Sequence, residues 1–276
     1  MKLNKLFAEI KRKKSFLSVG LDTNIDKIPK HLLKYEDPIF EFNKRIIEAT
    51  AEFCVSYKFN TAFYEDNYEF AWQSLTNTVK WLPKNFFNIA DAKRGDIANT
   101  AQMYAKVFLG NKDSDLNFNA ITLSPYMGSD SIEPFLSYKN KYAIMVALSS
   151  NSGNKDFQLK KMQNGDYLFE EVIKTALGWS GADRIMFVVG ATQAKYLEKV
   201  RKAAPNSFLL VPGIGAQGGS LEEVAKNGLT KQCGLLVAIS RSIIYASDKE
   251  DFAEKAAIKA KEYQKTMAVM LDKYLK

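Results

Sequence analysis

The sequence predicts an α/β fold, a (β/α)8 TIM barrel, from three observations. Eight short apolar runs of strand character alternate with segments of helical periodicity, as in a parallel barrel with its helices outside. The 276 residues, of which 46% are hydrophobic, can bury one large core, so we expect a single domain over residues 1–276. Polar side chains recur where the predicted strands end, which is where the active sites of barrels collect. A doubly wound open sheet is the alternative.

The predicted elements follow one another without an internal repeat or a low-complexity linker. Segments such as Ile39, Phe42 and Ile46 have helical spacing between the strands. Two further helices flank the barrel, one over about residues 2–14 and a long one over about residues 247–275 that we expect to pack along its side. The eight strands are expected at residues 15–21, 53–59, 86–92, 120–124, 142–148, 184–189, 208–211 and 235–239.

The charge balance favours an anionic partner without identifying it. Lysine and arginine exceed aspartate and glutamate by 39 − 31 = 8, which allows phosphorylated metabolites as well as nucleic acid. The only dense basic run, residues 11–14, ends a segment of helical spacing and is interpreted as a solvated helix end. The net charge alone leaves both kinds of partner open, although we expect a small-molecule substrate and no nucleic-acid partner.

Histidine and cysteine usage narrows the chemistry further. His31 is the only histidine, which argues against histidine-based triads and zinc sites. Cys54 and Cys233 stand alone beside apolar runs, with no spacing typical of a metal site or a disulfide framework. The sequence has no signal-type apolar core and no run as long as a membrane span. We expect a cytoplasmic protein with no membrane partner, no metal and no cofactor.

The end of the third predicted strand carries the most informative charges. If residues 86–92 form a strand, Asp91 and Lys93 project from the same face, so that an acid and a base share one pocket wall. The ordinary alternative is a solvated turn with Asn99 as a helix N-cap. That alternative is weakened because lone charges on a buried strand face are costly unless they are paired or used. Asp96 follows beyond Gly95, where the chain can turn into a helix that begins near Asn99.

Other predicted strand ends carry polar groups that would share this edge of the barrel. The glycine-rich residues 212–219 and Arg241 would offer backbone N–H groups and a guanidinium to one phosphate dianion, although an ordinary αβ turn is the alternative for the glycines. The long polar loop of residues 150–165 is either a lid or a surface excursion. The remaining polar groups at these ends are Asp22, Lys58, Asn60, Ser149, Ser150, Asn151, Ser240 and Ser242.

Residues 91–100, Asp-Ala-Lys-Arg-Gly-Asp-Ile-Ala-Asn-Thr, closely resemble the signature of the orotidine 5′-phosphate decarboxylase family. Residues 212–219 and 240–243 look like that family's phosphate-binding segments, and the resemblance extends from Asp22 to about Tyr245. It implies decarboxylation of orotidine 5′-monophosphate to uridine 5′-monophosphate, the last step of de novo UMP synthesis, without a metal or cofactor. Two departures are Ala98 and Ser240, which stand where the family often has glycine.

The resemblance also implies a role for each matching residue. Lys58, Asp91, Lys93 and Asp96 would form an alternating array of ammonium and carboxylate groups, with Lys93 as the proton donor to C6. Asp96 and Thr100 would reach the active site of the partner subunit in a homodimer. The implied substrate contacts are Asp22, Lys58, Asn60 and Thr100 at the ribose, Ser149 or its neighbour Ser150 at the pyrimidine, and Pro212, Gln217, Ser240 and Arg241 around the phosphate.

Three other functions remain open on the residues alone. Another barrel enzyme of phosphorylated sugars, such as a keto-sugar-phosphate decarboxylase or an epimerase, would share the architecture and the aspartate and lysine spacing. A Schiff-base aldolase could use Lys58 or Lys93, although a lysine flanked by carboxylates stays protonated and is a poor amine nucleophile. A basic nucleic-acid-binding barrel has only the net charge of +8 in its favour.

Overall fold

The computed structural model is a closed barrel of eight parallel strands in sequential order, which confirms the predicted fold class. It describes residues 1–66, 68–110, 112, 116–215 and 218–275, apart from the side chains of Tyr68 and Glu69. The strands are β1 Leu17–Gly20, β2 Ser56–Asn60, β3 Phe87–Arg94, β4 Ala120–Leu123, β5 Tyr142–Leu148, β6 Ile185–Val189, β7 Leu209–Pro212 and β8 Leu235–Ile239. Each pairs with the next, and β8 closes on β1 with Ser18 opposite Ala238.

Helices cover the outside of the barrel, so strands such as β6 and β8 are buried along their whole length. The N-terminus of helix α2 is stabilised because Pro38 occupies its first turn and the Asp37 carboxylate accepts a hydrogen bond from the N–H of Phe40 at 2.9 Å. None of the helices formed by described residues is long and apolar enough to cross a bilayer. The helices are α1 Leu3–Lys13, α2 Pro38–Thr50, α3 Ala62–Glu65, α4 Tyr68–Trp81, α5 Ala98–Leu109, α6 Glu133–Leu136, α7 Leu168–Leu177, α8 Leu197–Ala203, α9 Leu221–Gly228, α10 Arg241–Ile244 and α11 Phe252–Tyr274.

The last helix begins later than the sequence predicted. Helix α11 starts at Phe252 and not near residue 247, because Ser247 donates to the Asp251 carboxylate at 2.6 Å and accepts from the N–H of Lys249 at 3.1 Å. These bonds close a turn that competes with the helix. Once formed, α11 packs against α2, where the rings of Phe42 and Phe252 stack with their centres 5.1 Å apart.

Strand β3 continues two residues past its predicted end, and its last residues are irregular. Its register with β4 shifts between Ala90 and Arg94, and Lys93 has a left-handed φ of 46°. A hydrogen bond of 2.9 Å from the backbone N–H of Lys93 to the Thr122 hydroxyl holds this conformation. Helix α5 then begins at Ala98, with no side-chain cap, so Asn99 is not the N-cap that the alternative interpretation of this segment required.

Candidate active site

A cavity of about 480 Å³ opens at the carboxyl ends of the strands. Its walls come from the ends of seven strands, which are far apart in sequence but meet at one end of the closed barrel. The sequence-predicted site residues that line it are Asp22, Lys58, Asn60, Asp91, Lys93, Ser149, Pro212, Ser240 and Arg241. Barrel closure therefore brings most of the candidate residues together at the end where this fold carries its active sites.

A larger cavity of about 1040 Å³ lies beside this one and shares Asn24 and Phe63 with it. Its described walls contain the carboxylates of Glu36, Asp37 and Glu41 but no lysine or arginine. A phosphorylated substrate would meet unfavourable charge there. The smaller cavity, with its lysines and Arg241, is the better candidate despite its size.

A row of alternating charges crosses the floor of the smaller cavity. The Lys58 ammonium donates to Asp22 Oδ1 at 2.9 Å and lies 3.2 Å from Asp91 Oδ2, while Lys93 Nζ donates to Asp91 Oδ1 at 2.6 Å. Lys58 is 5% exposed and Asp91 9% exposed, whereas the Lys93 side chain is 53% exposed. Lys93 is thus the member of the row that a bound molecule can reach most easily.

The row keeps its buried members ionised. Burial alone would raise the pKa of Asp91, but the charges of Lys58 and Lys93 and hydrogen bonds from Lys93 and Thr122 lower it to about 2. Burial alone would likewise lower the pKa of Lys58, but Asp22 and Asp91 raise it above its ordinary value. Within one chain the row of alternating charges therefore begins at Asp22, whereas the sequence analysis expected it to begin at Lys58.

Thr122 on β4 is a site residue that the sequence analysis missed. Its hydroxyl donates to Asp91 Oδ1 at 2.9 Å and accepts from the backbone N–H of Lys93 at 2.9 Å. It is fully buried, so it fixes the carboxylate and the lysine backbone relative to each other. The available signal was weak, because it was a single hydroxyl in the apolar run 120–123.

Tyr245, which lines the cavity, is a second residue that the sequence analysis missed. Its hydroxyl donates to the backbone carbonyl of Asp22 at 3.1 Å and accepts from the N–H of Asn24 at 2.8 Å. These two bonds tie the segment after β1 to the region following β8. Tyr245 thereby supports the position of Asp22 beside Lys58.

The fifth strand end contributes both candidate serines, since Ser149 and Ser150 line the cavity. Ser149 is held by the loop that follows it. Its backbone N–H donates to Gln158 Oε1 at 2.7 Å, and its carbonyl accepts from Asn154 Nδ2 at 2.9 Å. The 150–165 loop is therefore hydrogen-bonded to the strand end in this structure.

The seventh and eighth strand ends form the opposite wall. Gly213 has a φ of 102°, which favours glycine, and its carbonyl accepts from the N–H of Gly219 at 3.1 Å. Arg241 begins α10, is exposed, and makes no ion pair with any residue among those described. Gln217, the other predicted phosphate contact, lies outside the described residues.

Ser240, where the family often has glycine, has a buried hydroxyl that finds no hydrogen-bond partner among the described residues. Its side chain fills the space beside Gly20, where an added Cβ would come within 2.7 Å of the Ser240 Cβ. Glycine at position 20 on β1 therefore leaves room for the Ser240 side chain. The other departure, Ala98, has a φ of 44°, a conformation that glycine adopts more easily.

Asp96 and Thr100 lie outside this cavity. Asp96 is partly exposed and accepts from the N–H of Ile97 at 2.8 Å, and Thr100 is exposed on the first turn of α5. Within a single chain the structure therefore does not bring these two predicted site residues to the alternating charges.

Fold and cavity together define the class of (β/α)8-barrel enzymes, with a charged cavity at the carboxyl ends of the strands, where this fold carries its active sites. A model of the orotidine 5′-phosphate decarboxylase / HUMPS family matches residues 16–256. The chain belongs to this family.

Individual relatives agree with this assignment. An orotidine 5′-phosphate decarboxylase of Bacteroides fragilis is 53% identical over 274 residues, which is 98% of each chain. The solved OMP decarboxylase of Leishmania donovani is 36% identical with a TM-score of 0.79, covering 96% of this chain and 99% of that one. The UMP synthase of the same organism is 37% identical with a TM-score of 0.81, but this chain, matched over 96% of its length, spans only 57% of it. The family resemblance and the decarboxylase class are confirmed.

Proposed function

We propose that the chain decarboxylates orotidine 5′-monophosphate to uridine 5′-monophosphate in pyrimidine nucleotide synthesis. The observation that supports this best is the row Asp22, Lys58, Asp91 and Lys93 on the floor of a cavity whose rim carries Arg241. The row offers a cation where negative charge must develop, and Arg241 offers one where the phosphate must bind. The named relatives support the same activity.

The substrate lies across the cavity with its phosphate at Arg241, Gln217 and the backbone around Pro212, beside Ser240. Its ribose contacts Asp22, Lys58 and Asn60, and its pyrimidine faces Ser149. Binding energy from the phosphate, which does not react, can then be used to hold the reacting carbon against Lys93. Both Ser149 and Ser150 line the cavity, so their separate replacement would decide which one contacts the pyrimidine.

The proposed reaction breaks the bond between C6 and the carboxylate carbon and leaves the electron pair on C6. This carbanion has no adjacent electron sink, so the preorganised Lys93 ammonium supplies the stabilisation and then transfers a proton from Nζ to C6. Asp91 lies beside the departing carboxylate. Two unit charges ~4 Å apart repel by about 4 kcal/mol at an effective dielectric near 20. Asp91 also orients Lys93, to which it is bonded at 2.6 Å.

The active enzyme, in this proposal, is a homodimer in which Asp96 and Thr100 reach the site of the partner subunit. In support, exposed apolar side chains lie near them in sequence, namely Ile97 just before α5 and Met103 and Val107 on α5. Mixing inactive Lys93→Ala and Asp96→Ala chains should restore part of the activity, because one hybrid site then has both native residues. No recovery in mixtures shown to exchange subunits would contradict the shared site.

A cytoplasmic location belongs to the same proposal. Cys54 and Cys233 are buried free thiols, which suits a reducing compartment. Burial raises the pKa of Cys54 to about 11, so its thiol is unreactive at neutral pH.

The direct test is the ultraviolet absorbance of orotidine 5′-monophosphate on addition of purified protein, with a chelator present. We expect the absorbance to fall as uridine 5′-monophosphate and carbon dioxide form. An unchanged spectrum with protein shown to be folded would overturn the proposal. If activity appeared only after a metal ion was added back, the metal-free mechanism would be overturned.

A further inference from the structure

A second polar cavity, of about 780 Å³, lies at the opposite end of the barrel, where β3, β4 and β5 begin. Its described walls include no aspartate or glutamate. They do include several cations, namely Lys80, Lys84, Lys112, Lys139 and Lys141. This end of the barrel carries none of the proposed catalytic residues.

Lys141 is the buried cation of this cavity, being 7% exposed. Its ammonium donates to the Asn117 side-chain oxygen and to the carbonyl of Phe118 at 2.7 Å. Both acceptors are uncharged, and burial lowers the pKa of Lys141 to about 8. A charge buried without a carboxylate from the described residues is costly, so the site gains from any anion that enters it.

Two asparagines supply further donors. The N–H of Asn88 donates to Asn119 Oδ1 at 3.0 Å, and the N–H of Asn119 donates to Asn88 Oδ1 at 2.8 Å. In this reciprocal pair both side-chain oxygens act as acceptors. The orientation of each side-chain amide is therefore fixed, with its NH2 group on the side away from the bond. Asn88 is only 9% exposed, and neither NH2 group donates to a described residue. Both residues line the cavity, which is therefore rich in donors and has no described carboxylate.

We propose that this cavity binds a polyphosphate anion, either free or as part of a nucleotide, at Lys141, Asn88 and Asn119. Ammonium and amide N–H groups bind phosphate oxygens through charge-assisted hydrogen bonds. The volume is within the range of small-molecule sites and exceeds what a single orthophosphate needs. The site is separate from the proposed active site and does not depend on the function assigned to it.

The test is calorimetric titration with pyrophosphate, in an Arg241→Ala background that weakens binding at the other end. We expect saturable binding, and Asn88→Asp should weaken it by about tenfold or more, since Asp keeps the acceptor for Asn119 but replaces the NH2 donor by a charge. The control is Asn206→Asp, which makes the same charge change at an exposed residue between α8 and β7 and should alter affinity less than about twofold.

Several outcomes decide the proposal. No saturable binding at millimolar pyrophosphate, or equal losses in the two Asn→Asp variants, would overturn it. If Asn88→Asp does not fold, as judged by circular dichroism, Asn119→Asp makes the same substitution on the other half of the pair. Tighter binding of a nucleoside triphosphate than of inorganic triphosphate would identify a nucleotide site, and equal binding would identify a site for the free anion.

Discussion

The two ends of the barrel use buried lysine in opposite ways. At the carboxyl end Lys58 lies between Asp22 and Asp91, and these carboxylates raise its pKa despite its burial. At the amino end Lys141 is almost equally buried, but its partners among the described residues are an amide and a carbonyl, and its pKa falls to about 8. Burial alone therefore does not decide the state of a lysine. Its partners do, and they distinguish the row of paired charges that we propose to be catalytic from a cavity whose described walls carry only cations.

The largest expected effect is a loss of decarboxylase activity, and it should follow substitution of a lysine at the carboxyl end but not at the amino end. Lys93→Ala should reduce decarboxylation by more than about a thousandfold, because it removes both the cation at C6 and the proton donor. The matched Lys139→Ala change, at the rim of the amino-end cavity, should leave kcat and KM within about twofold. Steady-state kinetics on both variants, with circular dichroism for folding, make the comparison. Near wild-type turnover in Lys93→Ala would remove its assigned role.

The second prediction concerns the proposed phosphate site at Arg241, at the carboxyl end. Arg241→Ala should weaken binding of uridine 5′-monophosphate by about a hundredfold but that of uridine hardly at all, since only the nucleotide has a phosphate for the guanidinium. Isothermal titration with both ligands measures the two losses. If nucleotide and nucleoside lose equally, Arg241 does not hold the phosphate.

The strands and the charged motif could be predicted because each leaves a local signal. Apolar runs bounded by polar residues gave all eight strands, and Asp91 and Lys93 interrupt a face that should be buried. The left-handed conformation of Lys93 leaves no such signal, since lysine has no preference for it. It depends on the Thr122 hydroxyl, which belongs to a different strand.

The amino-end cavity was beyond sequence reasoning for a related reason. Asn88, Asn119 and Lys141 are each an ordinary polar residue near the start of a strand, separated by about thirty and about twenty positions. Only the pairing of β3 with β4 and of β4 with β5 brings them together.

The start of α11 was predicted a few residues too early. The turn around Ser247 competes with the helix through side-chain hydrogen bonds, and helical periodicity carries no signal for such bonds.

The two ends should also differ in their dependence on pH. The pKa of Asp91 is lowered from 3.8 to about 2, so its contribution to stability is complete above about pH 4 and is lost as the pH falls through about 2. Its size is about 2 kcal/mol, from 1.36 kcal/mol per unit. The pKa of Lys141 is also lowered, so this residue should make the free energy of unfolding rise with pH as well, but in a different range, from about pH 8 to 10.5.

Urea unfolding of wild type and Asp91→Asn at several acidic pH values tests the Asp91 contribution. The difference in unfolding free energy between them should shrink by about 2 kcal/mol between about pH 5 and pH 2. Asp248→Asn, at an exposed carboxyl with no ion pair to a described residue, should give a difference that stays flat. A flat difference for Asp91→Asn as well would mean that its pKa is not lowered in the folded chain.

The smallest effect should come from Thr122, which acts on the row only through Asp91 and Lys93. Thr122→Val keeps the side-chain shape but loses the bonds to the Asp91 carboxylate and the Lys93 N–H, so we expect kcat to fall by about tenfold with KM nearly unchanged. Thr122→Ser, which keeps the hydroxyl, should recover most of this loss. Ser18→Ala removes a buried hydrogen bond to Ser56 elsewhere in the barrel and should lower stability without lowering kcat. If Thr122→Ser is as slow as Thr122→Val, packing at this position matters and the hydroxyl does not.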